Sequence, residues 1–117
     1  MPDHTSVARQ HAELLASVAE TTLRAGQMAF WWFGQITYLL KMGQTTVLCD
    51  PYLQPHERRH KPPLLTPAEC AGIDLMVCTH DHTDHIDPWA IPQLAEQTQA
   101  AFVAPRAVRQ RMLDLGV

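Results

Sequence analysis

Residues 73–91 read IDLMVCTHDHTDHIDPWAI, and three kinds of chain meet within them. The apolar run 73–79 has the length and composition of a strand buried on both faces. A polar loop follows. Asp87-Pro88 then supplies an N-cap residue and a proline suited to a first helical turn, and Trp89, Ile91, Leu94 and Ala95 fall on one side of the turns that ensue. The expected order is strand, loop, helix over residues 88–97.

Working outward, residues 101–104 read as a further strand and residues 106–115 as a last helix stopped at Gly116. Upstream, residues 28–33 are apolar and aromatic. Residues 36–42 alternate Ile36, Tyr38, Leu40 and Met42 against Thr37, Leu39 and Lys41, and residues 45–49 are β-branched and apolar. Breaks at Gly34-Gln35 and Gly43-Gln44 permit tight turns, so these three segments predict an antiparallel meander. Pro55, Pro62, Pro63 and Pro67 hold residues 51–68 in an irregular loop, because each lacks a backbone donor and restricts its predecessor. Residues 6–25 place Val7, Leu14, Leu15, Val18 and Leu23 near helical spacing, with Gly26 as the stop. The organisation expected is an amino-terminal helix over 1–26 and one domain over 27–117.

Composition narrows the function classes. The chain has 117 residues, 46% of them hydrophobic and 18% charged, and a net charge of -3. No positive field is present to attract nucleic acid or anionic lipid, so a small-molecule partner is expected and nucleic acid and membrane are not. The three cysteines, Cys49, Cys70 and Cys78, match no paired motif, which points to a reducing, cytoplasmic setting. Arg9, Glu13 and Glu20 interrupt every candidate leader, and no window approaches a bilayer span. Cys49 and Cys78 read as small buried hydrophobes, and Trp31, Trp32 and Trp89 as core side chains or pocket walls.

The chemistry lies in His80-Asp81-His82-Thr83-Asp84-His85. Shuffling this composition produces such a set about once in 700 chains, so accident explains it poorly. In extended backbone His80, His82 and Asp84 point to one side, and the turn into the helix can swing His85 back toward them. Imidazole and carboxylate suit zinc, manganese or iron. The alternatives are a solvated polar loop and a structural zinc site, although the latter usually takes Cys-rich ligands from separated pairs. Asp50, at the end of the third strand, suits either an acceptor for a ligand N–H or a cap on the turn with Pro51. Arg58, Arg59, His60 and Lys61 form the only basic cluster; it suits a phosphorylated sugar acid or simply solvent.

HDHTDH after an apolar strand resembles the HxHxDH signature of the metallo-β-lactamase superfamily. The run from FWWFGQITYLLKMGQTTVLCDPYL through PPLLTPAE to IDLMVCTHDHTDHIDPWAIPQL is similar to its L-ascorbate-6-phosphate lactonase-like, UlaG-type branch. The resemblance implies the amino-terminal part of an αββα sandwich with a mostly antiparallel sheet. It implies His80 and His82 in one metal site and Asp84 and His85 in the other, two Mn2+ or Zn2+ ions in the complete fold, and Asp84 as the residue that orients the attacking water. Further family ligands lie later in the chain than this sequence reaches. The domain is therefore expected to be incomplete at its carboxyl end. The implied activity is hydrolysis of a lactone or related ester, such as a phosphorylated sugar lactone; the alternative is a non-catalytic metal-binding fragment. Open strand edges and apolar faces predict self-association, so a homo-oligomer is a further expectation.

Overall fold

The computed structural model describes the backbone of residues 4–117 and the side chains from Ser6 onward; residues 1–3 of the expected amino-terminal segment lie outside the described residues. The element order is α1 (His4–Glu20), β1 (Met28–Trp32), β2 (Tyr38–Met42), β3 (Thr45–Cys49), a 3-10 turn (Ala68–Cys70), β4 (Leu75–Val77), α2 (Ala90–Gln97), β5 (Ala101–Val103), a second 3-10 turn (Arg106–Val108) and α3 (Arg109–Asp114). Every expected element is present, several of them shorter than expected. Helix α1 ends at Glu20 rather than at residue 25, where Lys41 Nζ takes its last carbonyls, donating to Val18 O at 2.7 Å and Thr21 O at 2.9 Å.

The five strands form one sheet in the order β1-β2-β3-β4-β5. Strands β1, β2 and β3 make the antiparallel meander, its second turn a two-residue loop in which Gly43 takes φ +58° between the paired Met42 and Thr45. Strands β4 and β5 add in parallel. The sheet is therefore evenly mixed rather than mostly antiparallel. The Pro-rich loop between β3 and β4 and helix α2 between β4 and β5 are long enough to return the chain to the same end of the sheet, which a hairpin cannot do.

One row of side chains crosses all five strands on one face: Trp31, Leu39, Leu48, Met76 and Phe102 are successive cross-strand partners. Leu39, Leu48 and Met76 are buried in the same core as Val18 of α1, Ile91 and Leu94 of α2, and Met112 of α3. All three helices thus lie on this face. The alternation along β2 has period 2, but its buried set is Thr37, Leu39 and Lys41, while Tyr38 and Met42 are exposed. Met28, Phe30, Trp32 and Val103 share that open face and are 56%, 64%, 54% and 51% exposed. Among the described residues no helix is long and apolar enough to cross a membrane.

Candidate metal centre

The histidine loop leaves the sheet at the carboxyl end of β4. Cys78 N–H still donates to Val103 O at 2.9 Å, and the next residue turns away. Three backbone bonds coil the loop: His82 N to His80 O at 3.0 Å, His85 N to His82 O at 2.9 Å and Ile86 N to His82 O at 2.7 Å. Ile86 is fully buried and anchors the end of the loop in the core. Asp87, also fully buried, accepts four backbone N–H bonds. Its Oδ1 takes Trp89 at 2.9 Å and Ala90 at 3.2 Å, which caps the turn into α2; its Oδ2 takes Leu53 and Gln54, each at 2.9 Å. The expected cap is present. Its second task, pinning the start of the Pro-rich loop beside the histidines, had no signal in the sequence.

Because the loop is coiled rather than extended, the side chains are not arranged by simple alternation. The imidazoles of His80, His82 and His85 gather ring on ring, with centroids 4.5 Å apart for His80 and His82 and 3.9 Å apart for His80 and His85. His80 Nε2 lies 3.0 Å from His82 Nδ1. Asp84 stays at the rim, its Oδ1 3.7 Å from His85 Nε2. Asp81 points away, and its Oδ1 lies 2.8 Å from Arg111 Nε of α3, close enough for an ion pair although not aligned as a hydrogen bond.

Asp50 is the strongest tie between this loop and the sheet. It adopts φ +46°, a left-handed conformation that Asp tolerates better than most side chains, immediately after β3. That turn aims a buried carboxylate across to β4. Oδ2 lies 2.9 Å from His85 Nδ1, and both oxygens accept the Thr79 hydroxyl, at 3.1 Å and 2.9 Å, while Oδ1 also takes Thr79 N–H at 2.8 Å. The carboxylate favours the tautomer of His85 with hydrogen on Nδ1, leaving Nε2 as a lone-pair donor. Thr79 Oγ1 also lies 2.9 Å from His80 Nδ1. Thr79 was missed by sequence reasoning: a threonine ahead of a histidine carries no pattern, and only the fold sets it between Asp50 and two imidazoles. Asp50 O in turn accepts the buried Thr37 hydroxyl at 2.7 Å, so the turn with Pro51 is held as well.

The donor set, three imidazoles and a carboxylate with a second carboxylate behind one ring, fits a divalent cation of the zinc or manganese kind in chemistry. In the arrangement described, no three of the His, Cys, Asp and Glu side chains among the described residues converge on one point. The His80 and His82 nitrogens face each other instead. Burial, reinforced by Asp50, pushes the Cys78 thiol up to about 12; burial and Glu69 do the same to Cys70; burial and Asp50 raise Cys49. Cys78 is buried as expected and Cys49 only partly so. Trp32 and Trp89 are not core side chains: both lie exposed, whereas Trp31 packs against the core.

Residues 45–117, from β3 to the last residue, match the family described as Beta-lactamase superfamily domain. An uncharacterized protein of Mycobacterium tuberculosis is 32% identical over 102 residues, covering 80% of this chain and 27% of that protein, and an uncharacterized protein of Mycobacterium bovis matches to the same extent. A UPF0173 metal-dependent hydrolase of Opitutus terrae is 33% identical over 89 residues, 76% of this chain and 36% of that protein. The chain spans about a quarter to a third of the length of these curated relatives.

Proposed function

The chain belongs to the beta-lactamase superfamily domain family, and from that premise we propose that it is the amino-terminal portion of a metal-dependent hydrolase acting on a lactone or related ester. The observation that carries the reading is the cluster of His80, His82 and His85 at the carboxyl end of β4, with Asp84 at its rim and Asp50 behind it. In an α/β sheet that end is where ligands are usually held. The Opitutus terrae relative, named a metal-dependent hydrolase, supports the same class.

In this reading His80, His82, Asp84 and His85 hold divalent cations, Mn2+ or Zn2+, probed with each ion separately. When bound, such an ion supplies Lewis acidity, bringing the pKa of a coordinated water toward 7 and polarising a substrate carbonyl. Asp50 fixes the His85 ring through Nδ1 and so presents Nε2 to the site. Thr79 bridges Asp50 to His80 and keeps the two rings in register. Asp84, partly exposed, is the carboxylate able to orient water and accept its proton at Oδ1. The L-ascorbate-6-phosphate lactonase-like type is the finer reading, supported by the resemblance of the segments around the histidine loop and by the basic residues 58–61.

A second reading, a metal-binding module without turnover, is favoured by the chain's span of only about a quarter to a third of the length of these relatives. Metal content of the purified chain, measured by mass spectrometry and paired with hydrolysis of lactone and phosphoester panels in Mn2+ or Zn2+, separates the two. Bound metal with lactone turnover supports the hydrolase. Stoichiometric metal without turnover supports the module, and a chain that takes up no cation overturns both.

A further inference from the structure

The two halves of the histidine loop are held unequally. The second half is fixed from several sides: Asp50 Oδ2 lies 2.9 Å from His85 Nδ1, Ile86 is sunk in the core, and Asp87 is tied to Leu53 and Gln54. The first half, residues 80–82, is exposed at all three positions, and its support from the end of β4 is the Thr79 hydroxyl, 2.9 Å from His80 Nδ1. Among the described residues, one polar side-chain contact reaches residues 80–82 from another helix or strand. It is the ion pair of Asp81 Oδ1 with Arg111 Nε of α3, at 2.8 Å.

Asp81 is the residue between His80 and His82, so a hold on its carboxylate is a hold on the backbone that carries both imidazoles. The bond from His82 N to His80 O, at 3.0 Å, closes that stretch into a tight turn with little slack. Arg111 is itself firmly based. It stands in the last turn of α3 beside Met112, which is 4% exposed and belongs to the same core as Ile91 and Leu94. Arg111 Nε is shielded from solvent and has no hydrogen-bond partner among the described residues, where Asp81 is the only carboxylate within ion-pair range. With side chains 38% and 55% exposed, such a pair adds little to stability. Its consequence lies in where it holds the loop.

We propose that Arg111 is a positioning residue for the histidine loop: through Asp81 it fixes the stretch that carries His80 and His82. The proposal rests on the metal-dependent reading for its purpose. Charge and position predict opposite signs for Arg111→Ala. Removal of a positive charge near a cation site strengthens cation binding by Coulomb's law, whereas release of a positioning contact weakens it. Zn2+ and Mn2+ affinities are read by competition with a chromophoric chelator. Arg111→Ala is expected to weaken binding about three- to tenfold, a modest loss because the pair is partly solvated. Asp81→Asn, at an exposed position, is expected to weaken it as well, the double variant no further than the weaker-binding single, and Arg111→Lys to recover binding to within about twofold of wild type. In chelated, metal-free protein the imidazole ring resonances of His80 and His82 are expected to move in both single variants, and more than those of His85, with the urea midpoint unchanged. Tighter cation binding in Arg111→Ala, additive effects in the double variant, or unmoved His80 and His82 resonances would each overturn the proposal. A wild-type chain that takes up neither ion defeats the metal-dependent reading alone, and the metal-free resonances then decide whether Arg111 positions the loop.

Discussion

Asp50 carries more of the centre than any residue outside the histidine loop. One carboxylate serves the His85 ring, the Thr79 hydroxyl and the Thr79 amide, and its left-handed backbone is what brings it there. Asp50→Ala is therefore expected to leave all loop ligands in the chain and still lower cation affinity about 10- to 100-fold, read by competition with a chromophoric chelator. Asp50→Asn keeps the shape and part of the bonding and is expected to fall between. His82→Ala together with His85→Ala is expected to abolish uptake; retention of wild-type uptake would remove the histidine loop as the site. The sequence offered His80, His82, Asp84, His85 and Asp50 as candidates and gave no sign of Thr79. What was not legible is how they meet, because the loop closes on three backbone bonds and alternation does not survive a turn.

At the scale of elements, α1 is fastened by polar contacts of Lys41 and His11 that no hydrophobic pattern discloses. Lys41, 3% exposed, reaches under the sheet to the last carbonyls of α1, and His11 of α1 lies 2.8 Å from Glu69 Oε1 and 3.1 Å from Pro63 O. A lysine alternating along β2 reads as a solvent residue; here its ammonium neutralises the negative end of a helix. Lys41→Met is expected to cost about 1–3 kcal/mol, since it leaves those carbonyls without a donor, and hydrogen exchange should rise first in α1. Burial raises the Glu69 carboxyl, but the Thr66 amide and hydroxyl and His11 outweigh it, so its pKa is lowered overall. A lowered carboxyl stabilises the fold above its ordinary pKa, and that contribution disappears as pH falls through the folded value. Glu69→Gln is expected to flatten the acid limb of the urea midpoint between about pH 6 and pH 3, by about 1 kcal/mol or less because the pair is partly solvated.

Over the whole molecule, the described residues cover the sheet on one face only. Val18, Ile91, Leu94 and Met112 seal one side, while Met28, Phe30, Trp32, Tyr38, Met42 and Val103 stand open on the other. An apolar surface of that kind is rarely left to water in a stable monomer. The 117-residue chain is expected to self-associate at micromolar concentration in sedimentation, and Phe30→Lys with Val103→Lys to shift it toward monomer; a clean wild-type monomer would count against this. The covered face behaves as an ordinary core, where Leu94→Ala is expected to cost about 2–5 kcal/mol in denaturant unfolding.

The sequence by itself determined the order of strands and helices, the irregular course of residues 51–68, and the chemical identity of the candidate centre, because these depend on local periodicity, proline and residue type. Tertiary structure alone decided which side of β2 is buried, that β4 and β5 run parallel to β3, and that Asp50, Thr79 and Asp87 tie the histidine loop to distant backbone. Those outcomes depend on contacts between segments remote in the chain, and a pattern confined to neighbouring residues carries no information about which remote partner a polar group will find.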